Sequence, residues 1–164
     1  MNDSERVYLG LGTNLGDRIA NLRAVCAALP EQVRLVCSSQ IYQTPPWGYL
    51  DQPAFLNQVI EVETSLTPLD LLSRLKQIEA QIGRVPTFLY GPRLIDIDIL
   101  LFDQLVLNLA QLAIPHPRMN ERAFILVPLA EIAPTLVHPV TGLTIREMLA
   151  RIDASGVEVY HAES

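Results

Sequence analysis

The sequence predicts an α+β fold with a ferredoxin-like βαββαβ core, an antiparallel sheet carrying flanking helices. Four segments read as strands, at 7–12, 33–43, 55–64 and 94–102, and two segments with helical spacing of apolar residues, at 17–29 and 67–82, fall between them. No repeat, linker or low-complexity tract cuts the 164 residues, of which 49% are hydrophobic, so a single domain over 1–164 is expected.

Val7 to Gly12 is a short apolar run that leaves through glycines, and Gly10 to Gly16 reads as a tight turn in which Asn14 or Asp17 caps the next helix. Ile19, Leu22, Val25, Cys26 and Leu29 place that helix on 17–29. Val33 to Gln43 is rich in β-branched and small residues and reads as a strand. It stops at Thr44-Pro45-Pro46-Trp47-Gly48, where adjacent prolines supply no ladder donors. Val59, Ile60 and Val62 favour a strand over 55–64. Thr67-Pro68 then starts a helix with Leu69, Leu72, Leu75, Ile78 and Ile82 along it, and Gly83 stops it.

Residues 94–102 are apolar on both faces apart from two acids, which predicts a strand central in its sheet. Beyond it come a short strand near 105–107, a loop through Pro115-His116-Pro117, helices near 121–132 and 144–151, and an edge strand at 157–160.

The net charge of -6 repels phosphate backbones and anionic lipid, so neither nucleic acid nor a membrane surface is expected as a partner. No apolar run reaches the roughly 18 residues of a membrane span. The two cysteines, Cys26 and Cys37, form no CxxC pair, and buried reduced thiols in a cytoplasmic protein are expected.

Asp96-Ile97-Asp98 is the most informative triplet. Strand geometry puts residues i and i+2 on one face, where two carboxylates repel unless a cation joins them. An oxygen-only pair suits Mg²⁺, which completes its octahedron with water and phosphate oxygens. Arg84, Arg93, Arg118 and Arg122 flank the triplet in sequence, and guanidinium groups around a carboxylate-bound Mg²⁺ form a polyphosphate clamp. Ordinary surface arginines are the alternative for each one alone. Phe55 and Asn57 share a strand face, and an amide matches the edge of a pterin or purine ring. Phe124 offers a second ring face, against the ordinary reading of both rings as core. His116 can donate to a phosphate. The glycines at 10, 12 and 16 fit neither GxGxxG nor a P-loop.

In order and spacing, Gly10–Gly16, Thr44–Gly48, Asp51–Asn57, Gly91–Asp98 and Ile114–Phe124 resemble the 6-hydroxymethyl-7,8-dihydropterin pyrophosphokinases over nearly the whole chain. The resemblance implies transfer of pyrophosphate from ATP to 6-hydroxymethyl-7,8-dihydropterin in tetrahydrofolate biosynthesis. It implies that Asp96 and Asp98 hold two Mg²⁺ ions and that Arg84 and Arg93 act with them. The pterin would be held by Thr44, Pro45, Trp47, Phe55, Asn57 and Phe124. ATP would meet Lys76, Glu79, Arg84, Arg93, His116, Arg122 and the backbone near Ile99. The chain departs from the pattern at 85–89, where some relatives carry a longer basic loop, and at Tyr90, where some carry Trp. A ferredoxin-like module that binds a ligand without reacting it is the competing class. A pair of acids on an apolar strand argues against it.

Overall fold

A computed structural model describes residues 4–45, 53–83 and 94–161. Trp47, Arg84, Arg93 and the 85–89 segment lie outside the described residues. The order is β1 (Glu5–Thr13), α1 (Arg18–Ala28), β2 (Val33–Ser38), β3 (Tyr42–Thr44), β4 (Phe55–Thr64), α2 (Pro68–Ile82) and β5 (Asp96–Phe102). The short strands β6 (Leu107–Asn108) and β7 (Ala113–Ile114), the helices α3 (Ala123–Ile132) and α4 (Ile145–Leu149), and β8 (Glu158–Val159) follow. The α+β class and the βαββαβ core agree with the sequence reading.

Local chemistry accounts for the boundaries. Asp17 caps α1 by accepting from the Ala20 N–H at 3.1 Å. Asn14 instead donates to the Pro53 carbonyl. Thr67 caps α2 over Pro68, and Gly83, at φ 100°, ends it in the left-handed conformation that costs glycine nothing. At α4, Thr144 and Glu147 form a reciprocal capping box.

The main sheet runs β5-β1-β4-β3-β8, with β2 also paired to β4, and each pairing is antiparallel. β1 and β4 are central, so β5 is an edge strand of the described sheet, not the central one its composition predicted. Its residues are apolar on both faces because helices cover both faces. Ile97 and Ile99 join the cluster with Leu22, Leu71 and Leu75, while Leu100 and Leu101 join the one with Ile125, Leu126 and Leu129. A register shift opposite Tyr8 and Leu9 leaves Leu100 without a strand partner, so Leu100 and Leu101 both join the α3 cluster.

Other boundaries also moved. The strand expected over 33–43 is two, because Ser39 takes over the ladder at the break: its N–H donates to Val59 O and its hydroxyl accepts from Val59 N. The strand expected near 105–107 lies at 107–108, beyond a turn at Asp103 and Gln104. The helix expected from Glu121 begins as a 3₁₀ turn, Met119–Glu121, and becomes α-helical at Ala123. Gly10 and Gly12 lie inside β1, and Gly16 alone, at φ 72°, makes the turn. Cys26 is half-buried and Cys37 exposed, against the expectation of buried thiols, because most of β2 beyond Val33 lies open to solvent. No helix among the described residues is long and apolar enough to cross a membrane.

Candidate active site

The strand register builds the floor of the site. Across β4, β1 and β5, Asn57, Gly12 and Asp96 stand side by side, and Val59, Gly10 and Asp98 form the next row. Both rows share the sheet face toward α3, since alternate residues of a strand point the same way. The central residues of both rows have no side chain, so the floor is a trough between the amide on one side and the carboxylates on the other. A Cβ at Gly12 would stand 3.4 Å from Asn57 Oδ1, and one at Gly10 would stand 3.3 Å from Leu100 Cδ2.

α3 closes this trough into a cavity of about 200 Å³. Its lining brings together Thr44, Phe55, Asn57, Asp96, Asp98, Arg122 and Phe124, seven residues singled out from the sequence. Phe55 comes from the sheet and Phe124 from the first turn of α3, so the two rings belong to different walls. Asn57 donates to Thr44 Oγ1 at 2.9 Å, and both side chains are buried. At the other end the Arg122 guanidinium lies 5.5 Å from the Phe124 ring centroid.

The 114–122 segment is pinned beside β5. His116 N–H donates to the Leu100 carbonyl at 2.9 Å, and Met119 is fully buried. His116 Nδ1 accepts from the Arg118 N–H at 3.2 Å, which leaves the proton of the neutral ring on Nε2. Burial pushes the His116 pKa below its ordinary value. Asp98 opposes that shift, and Arg122 and Arg118 reinforce it. The neutral ring therefore offers Nε2–H as a donor near Asp98 and Arg122.

The remaining expected residues sit elsewhere. Glu79 is 3% exposed, and its Oε2 accepts the Ile97 N–H at 2.9 Å. Its Oε1 lies 3.7 Å from Lys76 Nζ. Glu79 thus reaches the outer edge of β5 from α2, outside the cavity, and Lys76 joins it only through that pair. The Ile99 side chain is buried, but its backbone has the same parity as Ile97 and faces that outer edge. Pro45 is exposed and does not line the cavity.

The sequence reads Gly10 to Gly16 as a turn able to line a pocket, with no nucleotide assigned, and gives Val59 and Ile125 no part; Gly10, Gly12, Val59 and Ile125 all line the cavity, the two glycines from within β1. The available signal was two glycines at i and i+2 within a strand, a mark of close approach by a ligand. Asp96 and Asp98 form no group of three or more with other His, Cys, Asp or Glu among the described residues. A soft or tetrahedral metal would want more protein donors, whereas this pair fits Mg²⁺.

Residues 8–134 match the sequence profile of the family described as 7,8-dihydro-6-hydroxymethylpterin-pyrophosphokinase. The chain is 49% identical to the 2-amino-4-hydroxy-6-hydroxymethyldihydropteridine pyrophosphokinase of Methylorubrum extorquens, over 93% of this chain and 97% of that protein. It is 44% identical to the folic acid synthesis protein fol1 of Pneumocystis carinii, over 92% of this chain but only 20% of that protein. A crystal structure of Plasmodium falciparum HPPK-DHPS with pteroate superposes with a TM-score of 0.70 over 92% of this chain and 43% of that one. At 19% identity that likeness speaks for the fold alone.

Proposed function

The chain belongs to the 7,8-dihydro-6-hydroxymethylpterin-pyrophosphokinase family and transfers pyrophosphate from ATP to 6-hydroxymethyl-7,8-dihydropterin in folate biosynthesis; from that premise we propose how its own residues divide the work. The observation that carries the proposal is that the carboxylate pair and the two-ring slot open into one cavity.

Phe55 and Phe124 sandwich the pterin, and Asn57 with Thr44 reads its polar edge, where an amide supplies both donor and acceptor. The hydroxymethyl group then points along the trough toward Asp96 and Asp98. Gly10 and Gly12 leave room for it, since any side chain there would occupy the path. On the far side the ATP phosphates meet Arg122 and the Nε2–H of His116, joined by Arg84 and Arg93, while Lys76 and Glu79 stand at the nucleoside end, beside the outer edge of β5. Adenine meets the outer edge of β5 near Ile99. An edge strand is what makes this possible, because a central strand spends its backbone groups on two neighbours.

Asp96 and Asp98 are the ligands for Mg²⁺, two ions in the family pattern. When bound, the metal neutralises phosphate charge and aligns the oxygens for displacement. The pterin hydroxyl oxygen forms a bond to the β-phosphorus, the bond from that phosphorus to the AMP oxygen breaks, and the hydroxyl proton leaves to solvent. Such transfer depends on positioning and charge neutralisation more than on covalent help. Arg122, already over the Phe124 ring, ties the phosphate end to the ring end.

The test is AMP release from ATP and Mg²⁺ with and without 6-hydroxymethyl-7,8-dihydropterin. Pterin-dependent AMP from the wild type and none from Asp96→Ala is the expected result. Equal AMP from the two proteins would overturn the metal assignment.

A further inference from the structure

The break between β2 and β3 has a bond of its own. Gln40 sits in the break, and its N–H, freed from the ladder, donates to both carboxylate oxygens of Glu131, at 3.1 and 3.0 Å. Two residues on, the Tyr42 hydroxyl donates to Glu131 Oε1 at 2.6 Å. Glu131 lies near the end of α3 at the solvent edge, while Tyr42 is 7% exposed. One carboxylate therefore clasps the start of β3 to the helix that roofs the cavity.

The clasp acts on both walls of the ring slot. Tyr42 and Thr44 are i and i+2 on β3, and Tyr42 stands opposite Asn57 in the register. Phe124 and Glu131 are seven residues apart, about two turns, and so share one stripe of α3. Moving Glu131 away from Tyr42 would shift the Phe124 wall relative to Thr44 and Asn57. The carboxylates on β5 lie across the sheet from this contact and are held separately, through β1 and Glu79.

We propose that Glu131 and Tyr42 are positioning residues that set the width of the pterin slot by bolting α3 to β3. They touch neither substrate. The proposal rests on the pterin reading above, and the wild-type assay separates the two. Without pterin-dependent AMP in the wild type, that reading fails. With it, the clasp stands or falls on the variants.

The experiment measures kcat and both KM values for Tyr42→Phe, Glu131→Gln and the double variant. Tyr42→Phe deletes one oxygen atom, and Glu131→Gln keeps an acceptor for Gln40. Tyr42→Phe is expected to raise the pterin KM about five- to tenfold, the scale of one lost charge-assisted hydrogen bond, and Glu131→Gln, whose amide oxygen still accepts but without the charge, about two- to fivefold, each with the ATP KM and kcat within about twofold of wild type. The double variant should be no worse than the weaker single, because the two groups make one contact. A purely structural bond would lower the melting temperature and leave the ratio of the two KM values unchanged, and that outcome overturns the proposal. Additive effects in the double variant would do the same. Should Glu131→Gln fail to fold, the Tyr42→Phe ratio alone decides.

Discussion

The two faces of the sheet are built to opposite rules. Toward α1 and α2, β1, β4 and β5 present Val7, Leu9, Leu11, Leu56, Ile60, Val62, Ile97 and Ile99, each at 4% exposure or less. That face is filled with buried aliphatic side chains. Toward α3 the same strands present Gly10, Gly12, Phe55, Asn57, Asp96 and Asp98, and a cavity remains. One set of backbone pairings thus carries a face that holds the fold together and a face that gives up packing for chemistry. Substitutions on the two faces should separate stability from activity.

The sharpest way to break the comparison is on the carboxylates. Asp96→Ala or Asp98→Ala should lower kcat by about 10³-fold or more, the scale of losing a preorganised electrostatic contact, with an unchanged melting temperature. A large loss of stability in either variant would mean that the α3 face also holds the fold. On the opposite face, Leu22→Ala, at a position 1% exposed, should cost about 2–5 kcal/mol in denaturant unfolding while kcat per folded molecule is preserved.

Gly12→Ala sharpens the contrast within one strand. A methyl here meets only Asn57 Oδ1, and replacing a strand glycine removes unfolded-state entropy, so stability should stay level or rise by up to about 1 kcal/mol. The same methyl intrudes on the trough and should lower kcat/KM for the pterin about tenfold. Steady-state kinetics and a melt on one preparation check both halves.

The smallest effect concerns pH. His138 is 6% exposed, and its Nδ1 accepts the N–H groups of Val140 and Thr141. Burial holds its pKa below the ordinary 6.5, as it does for His116. The unfolded chain therefore takes up these protons at a higher pH than the folded one. Stability should be flat above pH 7 and decline as pH falls through 6.5 toward the lower folded values. His138→Asn keeps an acceptor at that place without the titration, and should flatten part of the decline in melts at pH 7.5 and 5.5.

The element order, the helix caps at Thr67 and Gly83 and the span of β4 were legible because each has a local cause. The position of β5 was not. An apolar run on both faces reports burial, and burial by two helix layers looks the same in sequence as burial between two strands. The break at Ser39 was hidden for a related reason, since a serine hydroxyl standing in for a backbone group leaves no mark on periodicity. At the site, Asp96, Asp98 and Asn57 could be read because polar groups on apolar strands conflict with a bland core, whereas Phe55 and Phe124, ordinary core residues taken alone, stood out through the resemblance. Gly10 and Gly12 could not, because their contribution is the absence of a side chain, and it takes the register to show what lies on either side.

The central claim is that one cavity holds a ring slot and a phosphate end with separate residues. The most direct measurement is calorimetric titration of wild type, Phe124→Ala and Asp96→Asn with 6-hydroxymethyl-7,8-dihydropterin, and with α,β-methylene-ATP plus Mg²⁺. Phe124→Ala should weaken pterin binding about tenfold or more and spare the nucleotide, while Asp96→Asn should do the reverse. Unchanged pterin affinity in Phe124→Ala, or unchanged Mg²⁺-dependent nucleotide affinity in Asp96→Asn, would contradict the account.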